Sequence, residues 1–528
     1  MSSLFLTIKQ VLTTSNKSIL FSSLFYFILA ITLTFFYRFQ INPDGVSYIS
    51  LSLKYIHLDW NNSINGYWGP LFSWLLMPLI ILGIKPLLAT KILSLIIGYL
   101  VFIQSNTLLI LFDVDKIFHN YTLPTLAIII IYFSLITISP DLLFVLLILI
   151  YLNIILRGNY FINKRLGYLC GTIGGLLYLT KSYGFPFFLC HYFIFNLYSY
   201  LSKMKYRKII IYNFSKGLFI FILISSVWVA LISSKYGYLT IGTAAKYNNF
   251  LIIENVYPYL HHPMHYIGLL SPPNETAISI WEDIGVINWE TWSLFDSLEL
   301  FKHQISIILQ NILFSFYLII TFSFFSPFIL FISFSQVIKN KNLPDLQKII
   351  HTLLIIIILY SGYLFLIVDR RYIWISCILL LILGIKILNF YFNSFTMSEY
   401  IKRTVLFIFL SSFLFFPLIK LYTNININKD IYNIYNITKL YNINGRFASN
   451  SRWHDSLYLS FYNGWQYFGE QGNLTSVNLK NQLEESNIDY FLLWEKSKKD
   501  KLEYLNNYEE ITKGKIKALK IYSLKIKQ

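Results

Sequence analysis

Asp44 stands in Asn42-Pro43-Asp44-Gly45, directly ahead of a run in which Val46, Ile49, Leu53 and Ile56 recur at helical spacing. That spacing predicts a helix with one apolar stripe. A carboxylate at its N-cap would be favoured by free backbone N–H groups and the helix dipole. An isolated Asp before a helix is usually a cap and nothing more. Asp44 has company, however. Asp141 lies in Ser139-Pro140-Asp141, Lys181 in Thr180-Lys181-Ser182-Tyr183-Gly184, and Arg370 and Arg371 in Asp369-Arg370-Arg371-Tyr372, each at the end of an apolar block. A carboxylate facing cations suits a general base that takes a proton from a hydroxyl. Cations at a membrane boundary suit a phosphate whose lipid tail stays in the bilayer.

The elements that must position these groups are read from the apolar blocks. Of the 528 residues, 56% are hydrophobic and only 13% charged, with mean hydropathy +0.56. Water-facing domains carry roughly 25% charged residues. Aromatic residues make up 19%, as membrane-interface anchoring requires. Apolar segments fall at Ile19–Tyr37, Leu88–Phe112, Tyr121–Ile138, Leu142–Leu156, Leu166–Thr180, Phe185–Tyr200, Ile209–Ile232, Ile305–Phe334, Ile349–Val368, Ile373–Phe392 and Val405–Leu421. This predicts an all-α polytopic membrane protein of about eleven transmembrane helices, each crossing a hydrocarbon core of ~30 Å. The first block reads as a retained helix rather than a signal peptide. The net charge of +17 does not call for nucleic acid, because Lys and Arg sit mainly in short loops and the tail. The three cysteines, Cys170, Cys190 and Cys377, lie in or beside apolar blocks and suggest neither disulfides nor a metal cluster.

Short basic loops orient the chain. A cytoplasmic N-terminus with Lys9 and Lys17 also places Lys116, Arg157/Lys164/Arg165, Lys203/Lys205/Arg207/Lys208, Lys339/Lys341/Lys348 and Lys402/Arg403 inside. Three long segments then face outward: residues 38–87, residues 233–304, and the tail 422–528, which separates from a membrane domain 1–421. The first holds a second short helix, from Tyr67-Trp68-Gly69-Pro70-Leu71 to Leu82, read as interfacial because a crossing there would turn every later basic loop outward. The tail opens with an Asn/Ile-rich, low-complexity stretch, Asn424–Asn444. Candidate strands follow at Arg446–Asn450, Gln466–Phe468, Asp489–Trp494 and Ile516–Leu524, with a helix near Leu479–Glu485. This is a small extracytoplasmic α/β domain, too small to house its own active site.

Lys181 and the arginine pair now fall in short outer turns, against the orientation bias. Snorkelling is the bland explanation, but ionisable groups at membrane depth are functional by default. In the second outer loop His262 and His265 are three residues apart and could bind zinc, yet no third or fourth ligand accompanies them. Acceptor recognition or a cavity lid fits that loop better, as it does for Trp281-Glu282-Asp283.

With these motifs in order and on one side, the sequence resembles the GT-C superfamily of polyprenyl-phosphate-dependent glycosyltransferases. It is nearest to the family 39 type of the protein O-mannosyltransferases and aminoarabinose transferases. The resemblance rests on Pro43-Asp44-Gly45 with Tyr48, Tyr67-Trp68-Gly69-Pro70-Leu71, Ser139-Pro140-Asp141, Thr180-Lys181 and Arg371-Tyr372. It implies Asp44 as base of an inverting transfer, and Lys181 and Arg371, with Arg370, on the donor phosphate. It implies Asp141 lining the cavity or helping a metal, and Tyr48, Trp68, His262 and His265 toward the acceptor. The first loop has Asp-Gly where the family pattern has paired acids, which weakens any metal assignment and leaves a divalent cation as the only cofactor in view. The implied partners are a polyprenyl-phosphate sugar, an acceptor that is lipid, glycan or protein, and membrane lipids, with no nucleic acid. The implied place is the plasma (inner) membrane. A flippase of lipid-linked oligosaccharide would need polar residues at mid-span and symmetric halves, and the sequence has little of either. A glycan polymerase or ligase would not need the first-loop carboxylate.

Overall fold

The computed structural model describes residues 16–252, 262–339, 345–395, 397–471, 476–494 and 503–525. Lys9 and Lys341, used above for orientation, lie outside them. Every apolar block is helical. Among the described residues eight helices are long and apolar enough to cross a membrane: 17–37, 86–111, 116–136, 204–236, 298–322, 346–364, 370–394 and 399–423. Asp141–Leu156 and Leu166–Thr180 are shorter apolar helices packed among them, and Gly184–Ser202 is a further helix of 19 residues. The block Ile305–Phe334 differs from expectation. It is two helices in series, Leu298–Phe322 and Ser326–Lys339, broken at an extended Ser323. The break is tolerated because the Ser323 hydroxyl bonds to that of Ser412 at 2.6 Å and accepts from the Phe325 amide.

Small residues set the closest helix contact. On Leu166–Thr180, Gly171 lies so near Gly217 of Arg207–Tyr236 that a Cβ would come within 2.1 Å of the Gly217 carbonyl. Such backbone approach is how membrane helices associate without a hydrophobic drive. It also fixes the helix whose C-terminus carries Lys181.

The first outer loop contains the two expected helices, Pro43–Ile56 and Pro70–Ile81, each begun by a proline pre-set for the first helical position. The 12 residues of Pro70–Ile81 reach about 18 Å, too short to cross. Gly69 just before it touches the carbonyls of Leu179 and Thr180, where any side chain would clash, so the loop is keyed to the helix end beside Lys181. The helix Pro43–Ile56 does not lie on the surface with a polar face in water. Ser47, Ser50, Ser52 and Lys54 are buried along with Val46 and Ile49 of the apolar stripe. The serines are short enough to bond backbone, as Ser52 does to the carbonyls of Tyr48 and Ser73, and Lys54 is ion-paired to Glu282. That helix is sandwiched between the membrane domain and what covers it.

The cover is the tail and the second outer loop together. The tail carries a five-stranded sheet: β1 Arg446–Ser449, β2 Gln466–Glu470, β3 Tyr490–Trp494, β4 Glu509–Glu510 and β5 Leu519–Ser523, in the order β2-β1-β3-β5-β4. β1 runs parallel to β2 and β3, while β5 is antiparallel to β3 and β4. The free edge of β2 is covered by the second outer loop, whose Leu270 amide bonds to Phe468 and whose Ile278 carbonyl accepts from Tyr467. Two elements depart from expectation. The Asn/Ile-rich stretch forms the helix Lys429–Thr438, because Ile431, Ile434, Tyr435 and Thr438 share a face that packs on the core. A further helix, Trp453–Asn463, joins β1 to β2 and packs on Pro43–Ile56.

Candidate active site

Asn42, not Asp44, is the N-cap of Pro43–Ile56. Its backbone is extended, and its side chain bonds the Ile138 backbone through both its amide nitrogen and its oxygen (3.1 and 2.8 Å). Asp44 therefore sits inside the first turn and is free to use its carboxylate elsewhere. Arg371 Nη1 donates to one oxygen, Oδ2, at 2.5 Å, and Trp281 Nε1 donates to the other, Oδ1, at 3.2 Å. The carboxylate is largely shielded, with 15% of its side chain exposed.

Arg371 gathers three acids. Asp369 caps the 3₁₀ turn Arg370–Ile373 by accepting from the Arg371 amide, and lies 3.3 Å from its Nε. Asp141 Oδ2 is 3.8 Å from the same nitrogen, while Asp141 Oδ1 accepts from Lys181 Nζ at 2.7 Å. Lys181 also lies 4.0 Å from the centre of the Tyr372 ring, a cation–π contact. The structure thus brings Asp44, Asp141, Lys181 and Arg371 into one network, linked through the guanidinium.

Two cavities meet at the Asp44–Arg371 pair. One, of about 220 Å³, is lined by Asp44, Tyr48, Tyr67, Trp68, Asp141, Lys181, Trp281, Arg371 and Tyr372, among others. Burial and the nearby Asp44 and Asp141 push the Tyr48 phenol well above its ordinary value, so Tyr48 is a proton donor in hydrogen bonds rather than a base. The other cavity, of about 430 Å³, is lined by Asn42, Asp44, Tyr132, Asp369, Arg370, Arg371, Trp374, Lys420 and Asn424, among others. Arg370 therefore belongs to this second cavity and does not join the Lys181 side.

His262 and His265 line neither cavity. His262 lies between two indoles, stacked on Trp453 with ring centres 3.9 Å apart and tilted by 52° against Trp281 at 4.1 Å. Its nitrogens are buried, and burial, with His454 and His265 nearby, holds its pKa well below the usual histidine range. His265 Nδ1 contacts Glu470, which also accepts from the Trp453 amide at 2.9 Å. The pair thus ties the tail to the loop. Among the described residues no group of three or more His, Cys, Asp or Glu is arranged to hold a metal. Where a divalent ion would need Asp44 and Asp141, both carboxylates already bond to cationic side chains, so the residues do not fit one.

Sequence reasoning missed Trp281 as a partner of Asp44, and the way it is seated. The Trp281 carbonyl accepts from Trp68 Nε1 at 3.0 Å and Ser47 Oγ at 3.2 Å. Glu282 pairs with Lys54 and Asp283 with Lys235, while Asn65 holds the Glu282 carbonyl and Tyr236 the Asp283 carboxylate. An aromatic followed by two acids in a long loop was the available signal. Lys420 was also missed, hidden at the end of the last apolar block.

At the level of sequence no family model and no curated protein matches the chain. Solved structures do match in fold. The chain is similar to ArnT from Cupriavidus metallidurans bound to undecaprenyl phosphate, at TM-score 0.55 and 10% identity, covering 95% of this chain and 97% of that one. It is also similar to the Archaeoglobus fulgidus oligosaccharyltransferase in the apo form, at TM-score 0.54 and 12% identity, covering 89% of this chain and 69% of the other. A set of membrane-length helices with a small sheet-bearing tail is the fold that this chain shares with those two structures.

Proposed function

We propose that the chain is a membrane glycosyltransferase that moves a sugar from a polyprenyl-phosphate carrier to an acceptor hydroxyl outside the cytoplasm, with Asp44 as the general base. The observation that carries this reading is the position of Asp44, largely shielded between two cavities and bonded to a cation that borders both. Support comes from the fold shared with ArnT, whose structure holds undecaprenyl phosphate.

In the proposed step the acceptor oxygen attacks the anomeric carbon from the face opposite the phosphate. The carbon–oxygen bond to phosphate breaks, and the phosphate oxygen leaves with the electron pair. The acceptor's proton passes to Asp44. Each carboxylate oxygen carries two lone pairs, so Asp44 can accept that proton while Arg371 and Trp281 hold it in place. Attack from the opposite face inverts the anomeric configuration. Aromatic walls and matched charges around Tyr48, Tyr67 and Trp68 suit a neutral, hydroxyl-bearing ligand.

The test is purified protein with a panel of polyprenyl-phosphate sugars, wild type beside Asp44→Asn. Transfer is expected to fall by at least ~10²-fold, the scale of general-base loss, in protein that still unfolds in one cooperative transition. Equal turnover in both proteins would remove Asp44 from the mechanism. Sidedness is tested separately. In a background lacking Cys190, a Glu484→Cys probe on the exposed face of the tail should react with a membrane-impermeant thiol reagent on intact cells.

A further inference from the structure

The two cavities are lined by different balances of charge. On the Lys181 side the charged groups are Asp44, Asp141, Lys181 and Arg371. All four are bonded to one another, acid to base. On the other side are Asp44, Asp369, Arg370, Arg371 and Lys420. Both acids there are engaged by Arg371. Arg370 and Lys420 are left without a carboxylate partner among the described residues. They flank one ring, that of Phe416, with Arg370 Cζ 5.0 Å and Lys420 Nζ 5.9 Å from its centre. Arg370 Nε is buried with no hydrogen-bond partner among the described residues.

Two cations beside one ring, neither with a carboxylate partner among the described residues, repel one another and leave that wall of the cavity positive. An anion bound in the cavity would relieve that repulsion. A guanidinium offers a planar fork to two phosphate oxygens, and an ammonium adds a point charge. The cavity borders Asp44, so a phosphate there would lie across the Asp44–Arg371 pair from the aromatic hollow.

We propose that the phosphate of the lipid-linked donor is bound in this second cavity by Arg370 and Lys420. Lys181 then serves the acceptor side, as the partner of Asp141. This deepens the reading given above and rests on it for the identity of the ligand as a polyprenyl phosphate. Lys420 is the new assignment. It extends the phosphate site from the turn Arg370–Ile373 to the end of the helix Glu399–Thr423.

Binding can be measured without any transfer. Undecaprenyl phosphate is titrated into the detergent-solubilised full chain and bound lipid counted by native mass spectrometry. Phosphatidylglycerol and inorganic phosphate serve as parallel probes. Lys420→Gln and Arg370→Gln should each weaken undecaprenyl phosphate binding about tenfold or more, the scale of one charged hydrogen bond. Lys420→Arg should restore most of it, and Lys429→Gln, an exposed charge control, should bind within twofold of wild type. Lys181→Gln should weaken it less than Lys420→Gln. Unchanged binding in Lys420→Gln, or a larger loss in Lys181→Gln, would overturn the assignment. So would an equal loss of phosphatidylglycerol binding, which would make this a general lipid-headgroup contact. If no sugar donor supports transfer yet Lys420→Gln still loses undecaprenyl phosphate, the transferase reading fails and the phosphate site stands. If Asp44→Asn abolishes transfer while Lys420→Gln binds normally, the site fails and the transferase reading stands.

Discussion

On the Lys181 side of the Asp44–Arg371 pair, seven aromatic side chains and a matched set of charges surround a hollow of about 220 Å³. On the Arg370 side, a wider space of about 430 Å³ has more cation than its acids neutralise. The two hollows share one carboxylate and one guanidinium, so neither of those groups accounts for the difference. What differs is where the remaining cations find partners among the described residues: Lys181 in Asp141, and Arg370 and Lys420 in the ring of Phe416. A wall that is itself neutral can therefore separate an uncharged ligand from an anionic one.

The harshest way to break this comparison is to remove the shared cation. Arg371→Ala leaves Asp44, Asp141 and Asp369 facing one another, and stripping one member from a largely buried ion pair costs about 3–5 kcal/mol. A loss of the same size in the transition state should slow transfer about 10²- to 10⁴-fold, and the melting temperature in detergent should drop. Arg371→Lys should recover only part of this, because one ammonium cannot serve three acids as a guanidinium fork does. If Arg371→Ala changed affinity for one substrate alone, the two cavities would not be joined at this pair.

A narrower cut affects the aromatic side only. Lys54 and Glu282 are both nearly inaccessible, at 4% and 3% exposure of their side chains. Lys54→Met should destabilise the protein by about 3 kcal/mol, because Glu282 is left charged and buried. The double variant Lys54→Met/Glu282→Leu should return to within ~1 kcal/mol of wild type, since well-packed apolar pairs replace buried ion pairs at little cost. The readout is thermal unfolding in detergent, and a double variant as weak as the single one would assign Lys54 some other role. Within that same seat, Trp281→Phe keeps the ring and deletes the N–H that reaches Asp44. One hydrogen bond to a charged group contributes about 1.5 kcal/mol, so transfer should slow roughly tenfold with undecaprenyl phosphate binding unchanged.

The membrane domain was legible because hydrophobic blocks of bilayer length have few alternative explanations, and a basic loop is conspicuous between them. The break at Ser323 was not, since apolar composition continues through it and only a hydroxyl on a distant helix, Ser412, makes it tolerable. The position of Asp44 was read to within one turn, but its role as cap was misread. Pro43 moves the helix start back to Asn42, whose side chain is spent on Ile138 rather than on its own helix. The seat of Trp281 was beyond sequence reasoning, because its partners Lys54, Asn65, Trp68, Lys235 and Tyr236 come from two other segments. The helix Lys429–Thr438 was obscured by Asn-rich composition, although its isoleucines keep helical spacing.

The smallest expected effect concerns the contact that seats the tail over the aromatic cavity. His262 lies between Trp281 and Trp453, outside the membrane-spanning segments, and its folded-state pKa is held well below the usual value near 6.5. Two indole faces would favour an imidazolium by about 0.5–2 kcal/mol, but both ring nitrogens are buried without partners among the described residues, and desolvation outweighs that gain. When the tail lifts, the freed ring can take a proton that the docked ring refuses. Docking stability from this residue is therefore intact above pH 6.5 and is lost as pH falls below it, by up to about 1.4 kcal/mol per pH unit. The groups facing it are His265, His454 and, through Trp281, Asp44. The contact of His265 with Glu470 is common to wild type and His262→Phe and cancels in their comparison. Hydrogen exchange in the helix Trp453–Asn463, corrected for intrinsic rates, should accelerate between pH 7 and pH 5 in the wild type. In His262→Phe, which keeps a ring between the two indoles but cannot take up a proton, the difference should vanish. Acceleration that persists in His262→Phe would move the pH sensitivity elsewhere and leave His262 as a packing residue alone.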